Sequence, residues 1–465
     1  MSSLQERIRD AVNNKELHTA ISRATTQLRQ RRSDAFTSQD NFDAIKESAR
    51  HAKLTVLHNL EKNLLEFENR LVENGIKVHW AGNGEEACSI VSGIAEQTNA
   101  KKIVKSKSMT TEEIHLNDYL EKRGLTVRET DLGEYIIQLA GEKPSHIVAP
   151  ILHMMRERVG SIMHKKLNVP YTHDIEQLTR IAREKLREDF LEADIGITGA
   201  NFGVVDTGTI CIVTNEGNGR MVTTLPRTHI VIMGIEKLVP SLSDLDDMLK
   251  LLARSATGQK ITVYTTLING PVNRDEENGP EEMHLILLDN GRTKILGSEQ
   301  AEILCCIRCG ACLNACPVYK CIGGHAYGDI YSGPVGSVVT PGLRGIEDWG
   351  ELSYISTLCG ECKEACPIKI DIPGMLTGLR KNTTESNKWN FALLPMKLFL
   401  LISTNPRLYK FVRKFISTLL YTPGVKLLST KLLNRIFSGW TQIHTLRIPV
   451  RKTFQELWKD KGRTS

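Results

Sequence analysis

Two cysteine motifs contain the residues of this chain best suited to chemistry. Of its eleven cysteines, nine lie between Cys305 and Cys366. The first motif is Cys306-x2-Cys309-x2-Cys312-x3-Cys316-Pro, and the second is Cys359-x2-Cys362-x3-Cys366-Pro. Thiolates on tight two-residue spacings are the ligands that iron–sulfur clusters prefer, and the first motif is the full bacterial ferredoxin pattern. The motifs therefore predict an iron–sulfur domain.

The spacing also indicates which cysteine binds which cluster. In the ferredoxin pattern the cysteine before proline ligates the other cluster, so the assignment crosses between the motifs. We predict two [4Fe-4S] clusters with these ligands: Cys306, Cys309, Cys312 and Cys366 on cluster one, and Cys316, Cys359 and Cys362 on cluster two.

Cluster two lacks one thiolate, because Ser356 occupies the position where the repeat would place it. Three alternatives stay open: a [3Fe-4S] cluster, a four-iron cluster with a non-cysteine ligand, or recruitment of Cys321 or Cys305. Cys321 is the better candidate of these two as an extra ligand, since Cys305 adjoins a ligand and would have to point away from its neighbour's metal.

Zinc is the main alternative to iron. Zinc ribbons separate their two Cys-x2-Cys pairs by about 12 to 20 residues, whereas Cys309 and Cys359 are 50 positions apart. A zinc site would also leave three further cysteines unexplained. Iron–sulfur clusters are favoured, and the absence of a secretory pattern disfavours disulfides.

A second candidate site is a small anion or substrate pocket. The stretch 196–220 is dense in glycine and small polar residues, and such loops between strands can present backbone amides to an anion. Two lysines beside a predicted helix start could add positive charge. The candidate pocket residues are Lys105, Lys107, Gly199, Asn201, Gly203 and Asn215. The alternatives are that the glycines only form turns and that Ser108 only caps a helix.

The remaining pattern predicts the elements that position these residues. Residues 1–75 contain no proline and have helical apolar spacing, whereas 76–297 alternate short β-branched runs with helical patterns, which favours a mostly parallel sheet in an α/β domain. The strands are expected at Ile76–Trp80, Ile147–Ala149, Ile210–Thr214, His229–Met233, Ile261–Thr265 and Leu285–Leu288. Residues 298–375 form the ferredoxin-type domain, and 380–465 form a small all-helical unit.

The C-terminal unit is strongly basic. Residues 380–465 hold seventeen Lys or Arg and three acidic residues, a net charge of +14, so residues 1–379 carry −8. Because so many like charges repel one another, we expect a counter-surface. An acidic partner subunit is favoured over the anionic inner face of the membrane, and no nucleic-acid partner is expected. The start of the chain has no apolar signal region and no stretch is apolar enough to span a membrane, which predicts a cytoplasmic protein with at most a peripheral membrane contact.

The motifs together resemble the lactate utilisation protein B family. The resemblance rests on three stretches: the two cysteine motifs, Gly323–Gly328 with Pro334–Pro341, and the upstream segments Lys105–Thr111, Pro144–Pro150 and Gly199–Gly203, which look like its LUD domain. It implies a LUD sheet similar to that of sugar isomerases and CoA transferases, seven cluster-binding cysteines, and two companion proteins, one a LUD protein and one with cysteine-rich domains.

The function implied by the resemblance is oxidation of L-lactate to pyruvate with those companions, this chain acting as the iron–sulfur electron carrier. Two alternatives remain. The chain could bind lactate itself through the 196–220 loops with Lys105 and Lys107 and be the catalytic subunit, although it has no flavin or nicotinamide motif such as Gly-x-Gly-x-x-Gly to accept a hydride. Walker, His-Glu-x-x-His and Gly-x-Ser-x-Gly motifs are absent too, so nucleotide and serine hydrolysis have no signature here. It could instead be an iron–sulfur redox sensor or regulator.

Overall fold

The computed structural model describes residues 3–37, 41–272, 278–386 and 394–421, with the single residues 454, 457 and 458. The chain divides into two compact units, 1–386 and 387–465. The segments 1–75, 76–297 and 298–375, which the sequence distinguishes, all lie in the first unit.

Helices dominate the N-terminal segment, as its apolar spacing predicts. They are α1 (Leu4–Asn13), α2 (Lys15–Thr37), α3 (Phe42–His58) and α4 (Leu60–Glu73). Helix α1 begins with a capping box, in which the Ser3 hydroxyl accepts from the amide of Glu6 and the Glu6 carboxylate accepts from the amide of Ser3.

The α/β segment contains two sheets. Its strands are β1 (Lys77–Ala81), β2 (Lys102–Lys105), β3 (Thr126–Glu129), β4 (Ile195–Gly199), β5 (Phe202–Val204), β6 (Thr209–Thr214), β7 (Thr228–Gly234), β8 (Leu238–Val239), β9 (Tyr264–Ile268) and β10 (Glu282–Leu288). Six strands form a parallel sheet in the order β1-β10-β7-β4-β2-β3, and the other four form a second sheet in the order β8-β5-β6-β9. The mostly parallel sheet predicted from the sequence is confirmed.

The helices of this segment lie between the strands, except for the last helix, which follows β10. They are α5 (Gly84–Gln97), α6 (Met109–Glu113), α7 (Leu116–Glu121), α8 (Leu132–Ala140), α9 (Arg156–Leu167), α10 (Ile175–Leu191), α11 (Asn218–Thr224), α12 (Leu242–Thr257) and α13 (Arg292–Leu296). Alternate residues of β7 join different cores: Ile230 and Ile232 pack in the cluster that includes α5 and α7, and Val231 and Met233 pack with α4 and the second sheet. A sheet buried on both faces has the continuous apolar strands seen here.

Two strand predictions were wrong. Ile147–Ala149 lies in a loop without strand pairing, and the strand expected at Ile261–Thr265 is displaced to Tyr264–Ile268. The second sheet was not predicted, because the three residues of β5 and the two of β8 are too short to give a period-two pattern.

The cysteine-rich segment consists of short helices separated by turns. They are α14 (Ala311–Ala315), α15 (Pro317–Ile322), α16 (Gly333–Arg344), α17 (Ile346–Trp349), α18 (Glu361–Glu364) and α19 (Ile372–Ser386). Its buried residues belong to a hydrophobic cluster that also contains Ile21 of α2, Ala49 of α3 and Leu251 of α12. This segment therefore completes its core with residues from the N-terminal helices and the α/β segment.

The described part of the second unit contains α20 (Leu394–Thr404) and α21 (Pro406–Tyr421), so the helical prediction is confirmed there. Most of the segment 422–465 lies outside the described residues. Apolar side chains at four predicted helical positions are exposed rather than packed: Leu398, Leu401, Phe411 and Phe415. Among the described residues, no helix has the length and hydropathy needed to cross a bilayer.

Candidate functional site: two cysteine groups beside a cavity

The first group of cysteines lines a small internal cavity. Its four thiols come from both motifs, namely Cys306, Cys309, Cys312 and Cys366. The backbone reverses sharply between the first three, with positive φ at Arg308 and at Gly310, where α14 begins. These are the four residues that the crossed assignment gives to cluster one.

Backbone amides point at sulfurs of this group. The amide of Arg308 donates to Cys306 Sγ and the amide of Ile370 to Cys366 Sγ, each over 3.4 Å. Burial raises the pKa of the Cys309 thiol to about 12, because a lone thiolate is poorly solvated there. Since a metal must bind thiolates, loading of this site has to release protons.

The second group is more exposed. Burial raises the pKa of the Cys362 thiol to about 12, and the neighbouring thiols of Cys316 and Cys359 act in the same direction. The amide of Tyr319 donates to Cys316 Sγ over 3.4 Å. Cys316, from the first motif, therefore lies beside the second motif, as crossed ligation requires, while Cys359 itself is exposed.

The candidate extra ligands differ in environment. Cys321 is exposed on α15 and is close enough to Cys316 to influence its electrostatics. Cys305 is fully buried, and burial raises the pKa of its thiol to about 11. Ser356 uses its hydroxyl oxygen to accept from the amide of Leu358 over 3.1 Å.

The four thiols of the first group line a cavity. A zinc site needs its sulfur ligands about 2.3 Å from one metal. Thiols spread around a cavity suit a cluster with several metal atoms, each binding one cysteine. The residues of the first group therefore fit an iron–sulfur cluster.

Cationic side chains surround the first group, two of them from the N-terminal helices and one from the first motif itself. Arg32 of α2 donates to the carbonyl of Ala365 over 2.8 Å, and buried Lys53 of α3 donates to the carbonyls of Leu238, over 3.1 Å, and Glu236. Arg308 lies over the ring of Tyr331, 4.6 Å from its centroid. Buried cations beside the thiols favour a site that carries negative charge.

A buried ion-pair network joins the α/β segment to the cysteine-rich segment. Arg292 donates to both carboxylate oxygens of Glu113 over 2.9 Å and to Glu236 over 2.6 Å, and Tyr331 donates to Glu113 over 2.6 Å. All four side chains are at most 2% exposed. Burial alone would raise the pKa of Glu236, but Arg292 and nearby cations outweigh it and lower that pKa to about 2.

A larger cavity of about 490 Å³ lies at the carboxyl ends of β2, β3 and β4. The chain passes outward from β2 to β3 and then returns to β4 on the other side of β2, and such a switch in strand order opens a crevice where ligands bind. Gly199 is needed there, because a Cβ would approach Ser108 Oγ to 2.6 Å.

Four of the six predicted pocket residues line this cavity: Lys107, Gly199, Asn201 and Asn215. Two do not. Lys105 is fully buried and pairs with Glu129 over 2.8 Å and Glu112 over 3.0 Å. Burial lowers the pKa of this lysine, but these two carboxylates raise it more. Gly203 lies in β5, where a Cβ would contact Phe67, Leu238 and Met233.

Sequence reasoning missed several lining residues: Asp131, Glu216, Asn218, Lys237 and Arg308. Lys237 has no motif around it, since it follows β7 in a short 3-10 helix. Arg308 lies inside the first cysteine motif and could have been noticed as a cation between two ligands. Arg308 and Ile147 line both this cavity and the cysteine-lined one, so the two are adjacent.

Comparisons with known proteins define the class. Residues 64–288 match the LUD domain family and residues 302–370 match the 4Fe-4S dicluster domain family. The chain is thus an iron–sulfur protein that carries a LUD domain.

Whole-chain relatives give the particular family. The chain is 42% identical to lactate utilization protein B of Bacillus velezensis over 99% of this chain and 97% of the relative. It is 43% identical to lactate utilization protein B of Bacillus subtilis over 99% and 96% of the two chains. The chain belongs to the lactate utilization protein B family.

Among solved structures, the chain is similar to a crystal structure of a DUF162 family protein from Deinococcus radiodurans. The match spans 49% of this chain and 98% of that protein at 14% sequence identity, with a TM-score of 0.27.

Proposed function

We propose that this chain is the iron–sulfur electron-transfer subunit of a multiprotein system that oxidises L-lactate to pyruvate. Membership of the lactate utilization protein B family supports a role in lactate utilisation. The observation that carries the electron-transfer role is that the cysteine-lined cavity adjoins the 490 Å³ cavity, since Arg308 and Ile147 line both. An electron carrier needs its redox centre within reach of the site from which electrons come.

Two clusters are proposed, held by the two cysteine groups. A bound iron–sulfur cluster supplies one-electron transfer. The chain's own residues hold the thiols in place through amide-to-sulfur hydrogen bonds, exclude water from the first group by burial, and offset its negative charge with Arg32, Lys53 and Arg308.

Lactate should reduce this protein only when its companions are present. The proposed partners are a second LUD protein and a protein with cysteine-rich domains. Removal of two electrons from lactate at once needs a two-electron acceptor, and the sequence contains no flavin or nicotinamide motif. We expect lactate to bleach the visible absorption of the protein after anaerobic co-expression with both companions and to leave the isolated protein oxidised. Reduction of the isolated protein by lactate at a comparable rate would contradict the carrier role and favour the catalytic alternative.

The basic C-terminal unit is proposed to bind an acidic partner subunit. The exposed apolar side chains on α20 and α21 lie among exposed lysines and arginines such as Lys397 and Lys410, a combination suited to a protein surface with acidic and apolar parts.

Removal of residues 387–465 should therefore leave the iron content unchanged and abolish co-purification with the companions at moderate salt. The cysteine groups lie wholly in the unit 1–386, which is why iron should stay. Lys410→Glu should weaken the complex, whereas Lys165→Glu on α9 should not. If the shortened protein keeps its partners but no longer binds vesicles of anionic lipid, the membrane alternative is correct.

A further inference from the structure

The large cavity has one end lined by two cations, Lys237 and Arg308. The buried carboxylate of Glu236 lies 3.9 Å from Arg308 Nη2, but it also pairs with Arg292 over 2.6 Å. Its charged lining consists of three cations, Lys107, Lys237 and Arg308, and two carboxylates, Asp131 and Glu216. These charges are not evenly mixed. Lys107 interacts electrostatically with both carboxylates, whereas Lys237 interacts with the buried Glu236, with Arg308 and with the nearby Cys306. The cavity thus has a mixed-charge end and a cationic end.

The carboxylates of the mixed-charge end are already engaged. Asp131 Oδ1 accepts from the amides of Gly133 and Glu134 over 3.0 and 3.3 Å, and Glu216 accepts from the amide of Leu132 over 3.2 Å. Lys107 donates to the carbonyl of Val148 over 2.8 Å. These groups therefore have partners within the protein.

The cations of the other end have donors to spare. The Lys237 ammonium makes no hydrogen bond or ion pair with any described residue. Arg308 lies 3.9 Å from Glu236 through Nη2, but its Nη1 has no hydrogen-bond partner although the side chain is only 10% exposed. Burial lowers the pKa of the Lys237 ammonium to about 8. Both side chains are partly buried, and an anion that pairs with their unused donors replaces the water that burial removes.

We propose that the cationic end of this cavity binds the carboxylate of a small organic acid through Lys237 and Arg308. The inference rests on the proposed function, which makes L-lactate the acid to test. A carboxylate suits the site because its two oxygens can accept from the Lys237 ammonium and the Arg308 guanidinium together. The ligand would then contact the wall that the cavity shares with the first cysteine group.

The test uses full-length, anaerobically purified protein with its clusters intact. L-Lactate binding is measured by calorimetry for wild type, Lys237→Met and the surface control Lys165→Met. Methionine keeps a similar side-chain length and removes the charge. We expect Lys237→Met to weaken binding tenfold or more, roughly the effect of losing one charge-assisted hydrogen bond, and Lys165→Met to bind as wild type. Unchanged affinity in Lys237→Met, or no binding to wild type, would overturn the proposal.

A second measurement needs no variant and covers the case in which Lys237→Met does not fold. Acetylation of lysines in wild type is followed by mass spectrometry with and without L-lactate. We expect lactate to slow modification of Lys237 and to leave Lys165 unaffected. Absence of protection contradicts the site, and equal protection by inorganic phosphate contradicts the carboxylate class. Neither result bears on whether lactate reduces the protein when its companions are present. The co-expression experiment tests that proposed function separately.

Discussion

Cys366→Ala should remove cluster one, although Cys366 belongs to the second motif. The reason is its position beside Cys306, Cys309 and Cys312 in one buried cavity. Cys316→Ala should instead remove cluster two, because Cys316 lies with Cys359 and Cys362. Wild type purified without oxygen should hold about seven or eight iron atoms, and each variant should lose about half of them.

Electron paramagnetic resonance of the reduced proteins separates the two losses, since each variant should lack a different signal. Cys88→Ala is the matched control, because Cys88 is buried in another core cluster and should not change the iron content. Loss of the same signal in both variants would contradict crossed ligation, and stoichiometric zinc in wild type would contradict the cluster assignment. Cys321→Ala tests whether Cys321 is the extra ligand. A weaker signal from cluster two would identify Cys321 as the fourth ligand of that cluster.

Arg292→Met should lower the free energy of unfolding by about 3–5 kcal/mol, the cost of leaving a buried ion pair without one partner. Arg292 is the only described cation within hydrogen-bond distance of the carboxylates of Glu113 and Glu236, and all three are nearly inaccessible to water. Urea unfolding of the cluster-containing protein, followed by circular dichroism, measures the change.

Two comparisons test this explanation. Arg227→Met breaks an exposed ion pair with Glu281 and should leave stability almost unchanged, because water screens that pair. Glu113→Gln and Glu236→Gln, added to Arg292→Met, should restore part of the lost stability by neutralising the buried carboxylates. If the triple variant is no more stable than Arg292→Met, unpaired charge is not the cause of the loss.

The sequence alone identified the chemistry that depends on local spacing. Cysteines two and three positions apart must share a tight loop, so the iron–sulfur domain and the grouping of its ligands could be predicted without coordinates. Continuous apolar runs such as β7 and β10 predicted the parallel sheet for a similar reason, since a strand buried on both faces has no polar side. Local rules failed at β5 and β8, which are too short to show a pattern.

Only the tertiary structure decided which charged residues share the cavity. Lys105 and Lys107 are two positions apart but have different environments. Lys105 is the last residue of β2 and is buried with Glu129, whereas Lys107 lies in the following loop and lines the cavity. Lys237 and Arg308 are 71 positions apart and come together through the packing of the cysteine-rich segment against the α/β segment. Residues that meet only through tertiary packing form no recognisable pattern in the sequence. The same packing places the cationic end of the cavity beside the cysteines.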